Sequence, residues 1–473
     1  MAGIRLSLAA CALLLAAASY AATPGGAQVW VTTADQSRLL AREPEVIFAA
    51  QAPLATRIDV DPERRYQEMV GFGAAITDSS AWLIEKRLSA AQRAALLAEL
   101  FGRDGGGLGL SFTRISIGAS DFSLSHYSLD DPPGGAADPQ LEHFSIAPNR
   151  EYLLPVLRAA LAINPDLRIV ASPWSPPGWM KTSGSMVRGR LRPEAYAPFA
   201  AYLVKFVDAY AAEGIPVFAL TIQNEPDFEP HDYPGMKLSA KERARIIGQF
   251  LGPLLAQRRT RPRLLEWDHN WIDPASPRKV LADPVAAPFI DGVAWHCYKG
   301  DVKAQGPVHK AHPDKDAYLT ECSGGNWEPR WERSLRWFVH QLIIGSTRGG
   351  SRGVALWNLA LDEKHGPHAG GCADCRGVVT IDSATGAVTR NVEYYVLAHA
   401  SRFVRPGARR IESTTGVRGL ESVAFQNRDD GSIALIVLNT ALGQRPYSVR
   451  YADRVLNHAL PPGAVATVVL EHP

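Results

Sequence analysis

Sulfur is scarce in this chain: 473 residues include five cysteines and five methionines. Charge of one sign is lacking too, since 50 Lys and Arg face 48 Asp and Glu, leaving a formal charge of +2. So even a balance supplies no electrostatic reason for nucleic acid or an anionic membrane as partner. Beyond the first 22 residues no apolar run is long enough to span a bilayer. No internal repeat and no low-complexity linker interrupts the chain. A Gly-rich phosphate loop of the GxGxxG kind follows none of the apolar runs, and Gly105-Gly106-Gly107 precedes one instead, which argues against a doubly wound nucleotide-binding sheet.

What is present reads as a large soluble globular protein. The chain is long enough for one large α/β domain plus a smaller companion, and 21% charged with 46% hydrophobic residues is ordinary globular composition. Residues 1–22 read as an export signal: Arg5 supplies the positive start, Leu6 to Ala18 the apolar stretch, and small residues surround a cut after Ala21 or Ala22. Leu8-Ala9-Ala10-Cys11 resembles a lipoprotein box, but the apolar stretch continues past Cys11, which argues against lipid anchoring. The mature protein is expected to be secreted or periplasmic. Of its four cysteines, Cys372 and Cys375 sit in a Gly-rich loop and form a disulfide candidate in an oxidising compartment. Cys297 and Cys322, 25 residues apart, are read as buried thiols. A zinc site would want a second clustered pair, so no metal is expected.

Eight short apolar runs recur: Met69–Thr77, Leu110–Gly118, Arg168–Ser175, Val217–Ile222, Arg263–Asn270, Gly292–Tyr298, Ala317–Thr320 and Gly353–Leu361. Amphipathic stretches such as Tyr152–Ile163, Tyr196–Glu213 and Trp331–Gly345 separate most of them. Strand then helix, eight times over, predicts an α/β fold, a (β/α)8 TIM barrel. After about residue 400 the texture turns β-rich, at Ser422–Gln426, Ile433–Asn439, Tyr447–Tyr451 and Ala464–Leu470. The segment Ala27–Val60 has the same texture, so part of the N-terminal segment is expected to join the C-terminal one in an attached β-sandwich. The expected division is 1–22 signal, 23–66 sandwich segment, 67–398 barrel and 399–473 sandwich.

In a parallel barrel the chemistry sits at the C-terminal ends of the strands. Those ends carry Asp78, Asp121, Trp174, Asn224 and Glu225, Asp268-His269-Asn270, His296 and Tyr298, Glu321, and Trp357-Asn358. Glu225 and Glu321 are the glutamates that directly terminate barrel strands. Two carboxyls about 5 Å apart across a glycosidic bond are what a retaining glycosidase needs, one as acid/base and one as nucleophile. Pro226 helps to hold Glu225 extended, and Asn224 is placed to meet a sugar 2-hydroxyl. The negative charge of Glu321 is expected to raise the pKa of Glu225. Trp179, Trp271 and Trp327 read either as outer sugar subsites or as packing.

The chain resembles glycoside hydrolase family 30, in its glucosylceramidase-like branch. The resemblance rests on Gly71-Phe72-Gly73-Ala74-Ala75-Ile76-Thr77-Asp78, Arg114-Ile115-Ser116-Ile117 with Ser120-Asp121-Phe122-Ser123, and Ala171-Ser172-Pro173-Trp174-Ser175. It continues with Thr221-Ile222-Gln223-Asn224-Glu225-Pro226, Thr320-Glu321-Cys322 and Leu356-Trp357-Asn358-Leu359-Ala360-Leu361. It implies a (β/α)8 barrel joined to a β-sandwich built from both chain ends, with Glu225 as acid/base and Glu321 as nucleophile. It implies further that Asp121, Trp174, Asn224 and Trp357 line the −1 sugar subsite, with Arg114, His296 and Tyr298 close by, and that no cofactor is used. Cys297 departs from the pattern, since human-type glucosylceramidases carry a tryptophan there, and the loop Gly366–Gly377 differs as well. The expected substrate is a β-D-glucoside, glucosylceramide being the one the branch suggests, with a β-1,6-glucan as the alternative. A non-enzymatic carbohydrate-binding barrel would require loss of a catalytic carboxylate, and both are present.

Overall fold

Eight of the strands are parallel and each buries its inward face: Gly71–Ala75, Phe112–Ile117, Arg168–Pro173, Val217–Thr221, Arg263–Asn270, Gly292–His296, Asp316–Glu321 and Ser351–Asn358. They are called strands one to eight below. The computed structural model describes residues 26–48 and 52–471; the export signal and Cys11 lie outside the described residues. Strand eight lies beside strand one, and the bonds from Ser111 N to Phe72 O (3.1 Å) and from Ile76 N to Arg114 O (3.0 Å) join strand two to strand one. The ring is the expected TIM barrel.

Side chains along a strand alternate in direction, so one inward position predicts the next, two residues on. Phe112, Val170, Ala219, Leu265, Ala294, Tyr318 and Ala355 form an apolar cluster inside the barrel. Adding two to each position gives Arg114, Ser172, Thr221, Trp267, His296, Thr320 and Trp357. The barrel is therefore packed below and polar above. Strand five is the exception. Its register against strand six slips between Ala294 and Trp295, leaving Asp268 as the extra residue. Trp267 and Asp268 both adopt positive φ, 79° and 52°. This bulge re-aims the strand so that Asp268, not Trp267, enters the polar layer.

Helices pack outside. Ala90–Phe101 and Ala240–Ile246 each begin with a capping box, Ser89 with Gln92 and Ser239 with Glu242, which satisfies backbone donors otherwise left free. The amphipathic stretch Trp331–Gly345 is helical but ends in a π segment, Val339–Gly345, and a second π segment, Ile247–Leu251, continues the helix Ala240–Ile246. Strand one ends at Ala75, earlier than expected. Thr77 caps the helix Asp78–Lys86, and Asp78 is drawn away from the strand end to accept hydrogen bonds from Ser123 Oγ and Tyr127 Oη.

A ten-stranded sheet mixes both ends of the chain. Gly26–Thr32 pairs antiparallel with Val465–Leu470, in the register Ala27↔Leu470, and Arg57–Glu68 lies between Arg409–Ser413 and Arg445–Tyr451. Its own core includes Val29, Val31, Leu435, Val437, Tyr447 and Val468. The helix Val392–Ser401 bridges this β-sandwich to the barrel. On it, fully buried His399 places Nδ1 2.9 Å from Thr467 Oγ1 and Nε2 2.9 Å from Thr32 Oγ1. The Thr467 hydroxyl donates to the His399 carbonyl (2.8 Å), so it accepts from Nδ1–H, and Nε2 is left to accept from Thr32. That pattern suits a neutral ring.

The cysteines require one correction. Cys297 and Cys322 are not thiols; they form a disulfide, with Cα atoms 5.3 Å apart. His296 pairs with Glu321 across strands six and seven, so the residues that follow each of them emerge side by side. Separation along the sequence was a poor guide because neighbouring parallel strands bring a constant offset into contact. Cys372 and Cys375 are also bonded to each other.

Candidate active site

Arg114 organises the barrel mouth. It is fully buried and comes from the inward face of strand two. Nη1 meets Glu321 Oε2, and Nη2 donates to Asn224 Oδ1 and Asp268 Oδ2, both at 2.7 Å. Its guanidinium lies 4.6 Å from the ring centre of Trp174 and 5.5 Å from that of Trp357, and those two indoles stack at 5.0 Å. A planar cation can satisfy carboxylates at its edge while its face rests on aromatics, which lysine cannot do.

Asp268 is the matching anion, a strand-end residue to which the sequence assigned no role. Its Oδ2 accepts from Arg114, Ser172 Oγ (2.6 Å) and Thr221 Oγ1 (2.8 Å), and its Oδ1 from Thr320 Oγ1 (2.7 Å) and His296 Nε2 (3.0 Å). Five strands are tied to one carboxylate. Burial alone would raise its pKa, but the Arg114 charge and the His296 contact outweigh that and hold it well below the usual range.

Glu225 follows strand four with φ 46°, a left-handed and strained value for a side-chain-bearing residue, so Pro226 does not hold it extended as the sequence suggested. Its backbone N–H is anchored on Asp268 O at 3.0 Å. Its Oε1 lies 3.0 Å from His296 Nδ1 and 3.2 Å from His269 Nδ1. Glu321 ends strand seven after a second bulge, where the register slips between Trp295 and His296. Its Oε1 accepts from Tyr298 Oη at 2.8 Å, and its Oε2 is 3.9 Å from His296 Nε2. One imidazole ring thus stands between the two glutamates.

The protonation pattern differs from the sequence expectation. Burial pushes Glu225 up, but hydrogen bonds and charge from His269 and His296 outweigh it and hold the carboxyl below its ordinary range. Burial would lower His296, but the Glu321 charge and the bonds to Asp268 and Glu225 lift it to about 9. The expected charge effect of Glu321 therefore acts on the imidazole that separates the glutamates. Both directions favour the proton on the imidazole side of the Glu225–His296 pair. Asp121, also buried at the cleft, is pushed up to about 8 by burial and by the charge of Glu321. Its Oδ1 has no hydrogen-bond partner among the described residues, which leaves it free to meet a ligand hydroxyl.

Asp121, Glu225, Tyr298, Glu321 and Trp357 line a cavity of about 670 Å³. Trp174 and Asn224 are held against it through Arg114. Among the three loop tryptophans, Trp179 donates to Asp130 Oδ2 and Trp271 is buried on Gln305. Trp327 lines the cleft. His269 is the other strand-end residue that the sequence left without a role, and the structure sets it against Glu225. Glu225, His269 and His296 offer three donor atoms within 4.8 Å of one another, a donor set that transition metals also take. The same atoms are already satisfied by one another.

The barrel mouth thus holds two strand-end carboxylates, a guanidinium clamp and stacked indoles, and the profile of the glycosyl hydrolase family 30 TIM-barrel domain matches residues 69–404. The chain belongs to glycosyl hydrolase family 30. The family's β-sandwich profile matches residues 407–468 of this glycosidase. Over 401 residues, 81% of each chain, it is 35% identical to the endo-1,6-beta-D-glucanase of Neurospora crassa. It is 30% identical to the lysosomal acid glucosylceramidase of Mus musculus over 434 residues, 86% of this chain and 81% of that one. A solved endo-β1,6-glucanase superposes with a TM-score of 0.87 at 32% identity, covering 95% of this family 30 chain and 100% of its own.

Proposed function

We propose that this family 30 glycosidase is an exported β-1,6-glucanase acting by double displacement, with Glu321 as nucleophile and Glu225 as acid/base. The observation that carries it is the pair of glutamates on either side of one imidazole at an open, tryptophan-lined cleft. The higher identity to a 1,6-glucanase than to a glucosylceramidase favours glucan over the glycolipid first expected. Residues 1–22 then serve as the export signal, and 23–66 as the segment that completes the sandwich around a 67–398 barrel.

In the first step Glu321 attacks C1 and the glycosidic C1–O bond breaks. The Glu321 charge that holds the proton on His296 disappears as the new C–O bond forms. His296 then becomes more acidic, and its proton passes through Glu225 to the leaving oxygen. In the second step water attacks C1, Glu225 takes a proton from it, and Glu321 is released as carboxylate. Asn224 and Asp121 hold the sugar hydroxyls, and Arg114 and Tyr298 keep Glu321 aimed.

The test is product release from a β-1,6-glucan and from glucosylceramide, with the anomer followed by NMR. Gluco-oligosaccharides formed with retained configuration support the proposal; glucose from the lipid alone, or an inverted product, defeats it. Glu225→Gln and Glu321→Gln should each lose on the order of 10³-fold or more in kcat, given the size of acid/base and nucleophile contributions.

A further inference from the structure

A second cavity, of about 540 Å³, lies beside the catalytic cleft between the loops that follow strands six and seven. Tyr298 and Trp327 line both cavities, so the two adjoin across these side chains. The volume falls within the roughly 300–1,000 Å³ typical of small-molecule sites. Its lining also includes Trp337, from the helix Trp331–Phe338, and the charged pair Glu328 and Arg333. Trp327 and Trp337 are 55% and 40% exposed. Two large indoles open to water around one concavity mark an interaction surface rather than core. Glu328 sits 3.6 Å from Arg333 and 2.7 Å from Arg330, so donors and acceptors are held next to the aromatic faces. Sugar hydroxyls can pair with such groups beside the aromatic faces.

We propose that this second cavity is a distal glucan subsite, in which a glucosyl unit of a β-1,6-linked chain stacks on Trp327 and Trp337 while the scissile bond lies at Glu225 and Glu321. A 1,6-linkage has one more rotatable bond than a linkage to a ring carbon, which lets the chain turn across the wall made by Tyr298 and Trp327. The inference rests on the glucanase reading of the cleft.

The test compares wild type, Trp337→Ala and Trp337→Phe on β-1,6-linked gluco-oligosaccharides of increasing length. The Ala variant should lower kcat/KM for the long substrates about tenfold more than for the disaccharide, the effect of losing one well-placed indole, and the Phe variant should restore most of the loss. In the Glu321→Gln background, calorimetry should show the longest oligosaccharide binding about tenfold more weakly once Trp337→Ala is added. An equal factor at every length, or unchanged affinity, overturns the subsite while leaving a working glucanase. A loss confined to glucosylceramide micelles overturns it in favour of a lipid site. Failure of the wild type to cleave any β-1,6-linked substrate removes the glucanase reading itself, and this inference with it.

Discussion

Acid should weaken this protein at the seam between barrel and sandwich, through His399. The ring is fully buried, and burial alone depresses its pKa from the ordinary 6.5 to about 3. Above pH 6.5 the ring is neutral in both folded and unfolded chains, so its contribution is fully present. As pH falls from 6.5 toward 3, the unfolded chain binds a proton that the folded chain refuses, and stability is lost at about 1.4 kcal/mol per pH unit. From pH 7 to 4.5 the loss from this residue is about 2.5 kcal/mol. The assay is urea unfolding at both pH values for wild type and His399→Gln, whose amide can still reach the threonine hydroxyls. Other titrating groups are common to both proteins, so the wild type should lose about 2.5 kcal/mol more than the variant. Equal losses would refute the reasoning, because they would mean the buried imidazole takes up its proton without penalty.

Three further outcomes follow from the site. Arg114→Gln leaves Asp268 and Glu321 buried without their cation, and should cost about 3–5 kcal/mol in denaturant unfolding along with activity; a fully stable variant would contradict the central role given to that guanidinium. Replacing both Cys297 and Cys322 by serine opens a 25-residue loop and should lower stability by about 3.5 kcal/mol on chain entropy, with kcat falling as well because Tyr298 and Glu321 adjoin the bridge; unchanged kcat would show that the bridge does not position them. Asp121 keeps its proton until about pH 8 and loses it as pH rises through that value, so KM for glucan should climb above pH 8 in wild type and stay flat in Asp121→Asn. Parallel profiles would remove Asp121 from sugar binding.

The architecture was legible because it depends on repetition: eight apolar runs with helices between them, then a β-rich tail whose texture matched the segment after the signal. The site was legible wherever the alternation of strand residues held, as it does at Arg114 and His296. It failed at strand five. There the bulge shifts the inward position from Trp267 to Asp268, and no count by twos could reveal that the most heavily bonded carboxylate of the barrel sits at that residue. The disulfide was hidden for a related reason. Cys297 and Cys322 share the offset that pairs His296 with Glu321, and that offset has meaning only once the register of strands six and seven is known. The proton on His296 could not be read from residue types either, since it results from three carboxylates converging on one ring.

The pairing of Gly26–Thr32 with Val465–Leu470 has a consequence for how the chain is made. At roughly 5–20 residues per second, the strand translated first waits on the order of tens of seconds for a partner translated near the end. Throughout that interval it has only the short neighbours Ala41–Arg42 and Val46–Ile47 to pair with, and Val29 and Val31 wait for the rest of the sheet. The sandwich is thus a lock that closes only once Val465–Leu470 has been made, and a polypeptide cut short before Val465 would carry its defect far from the cut, in a first strand with one edge unpaired.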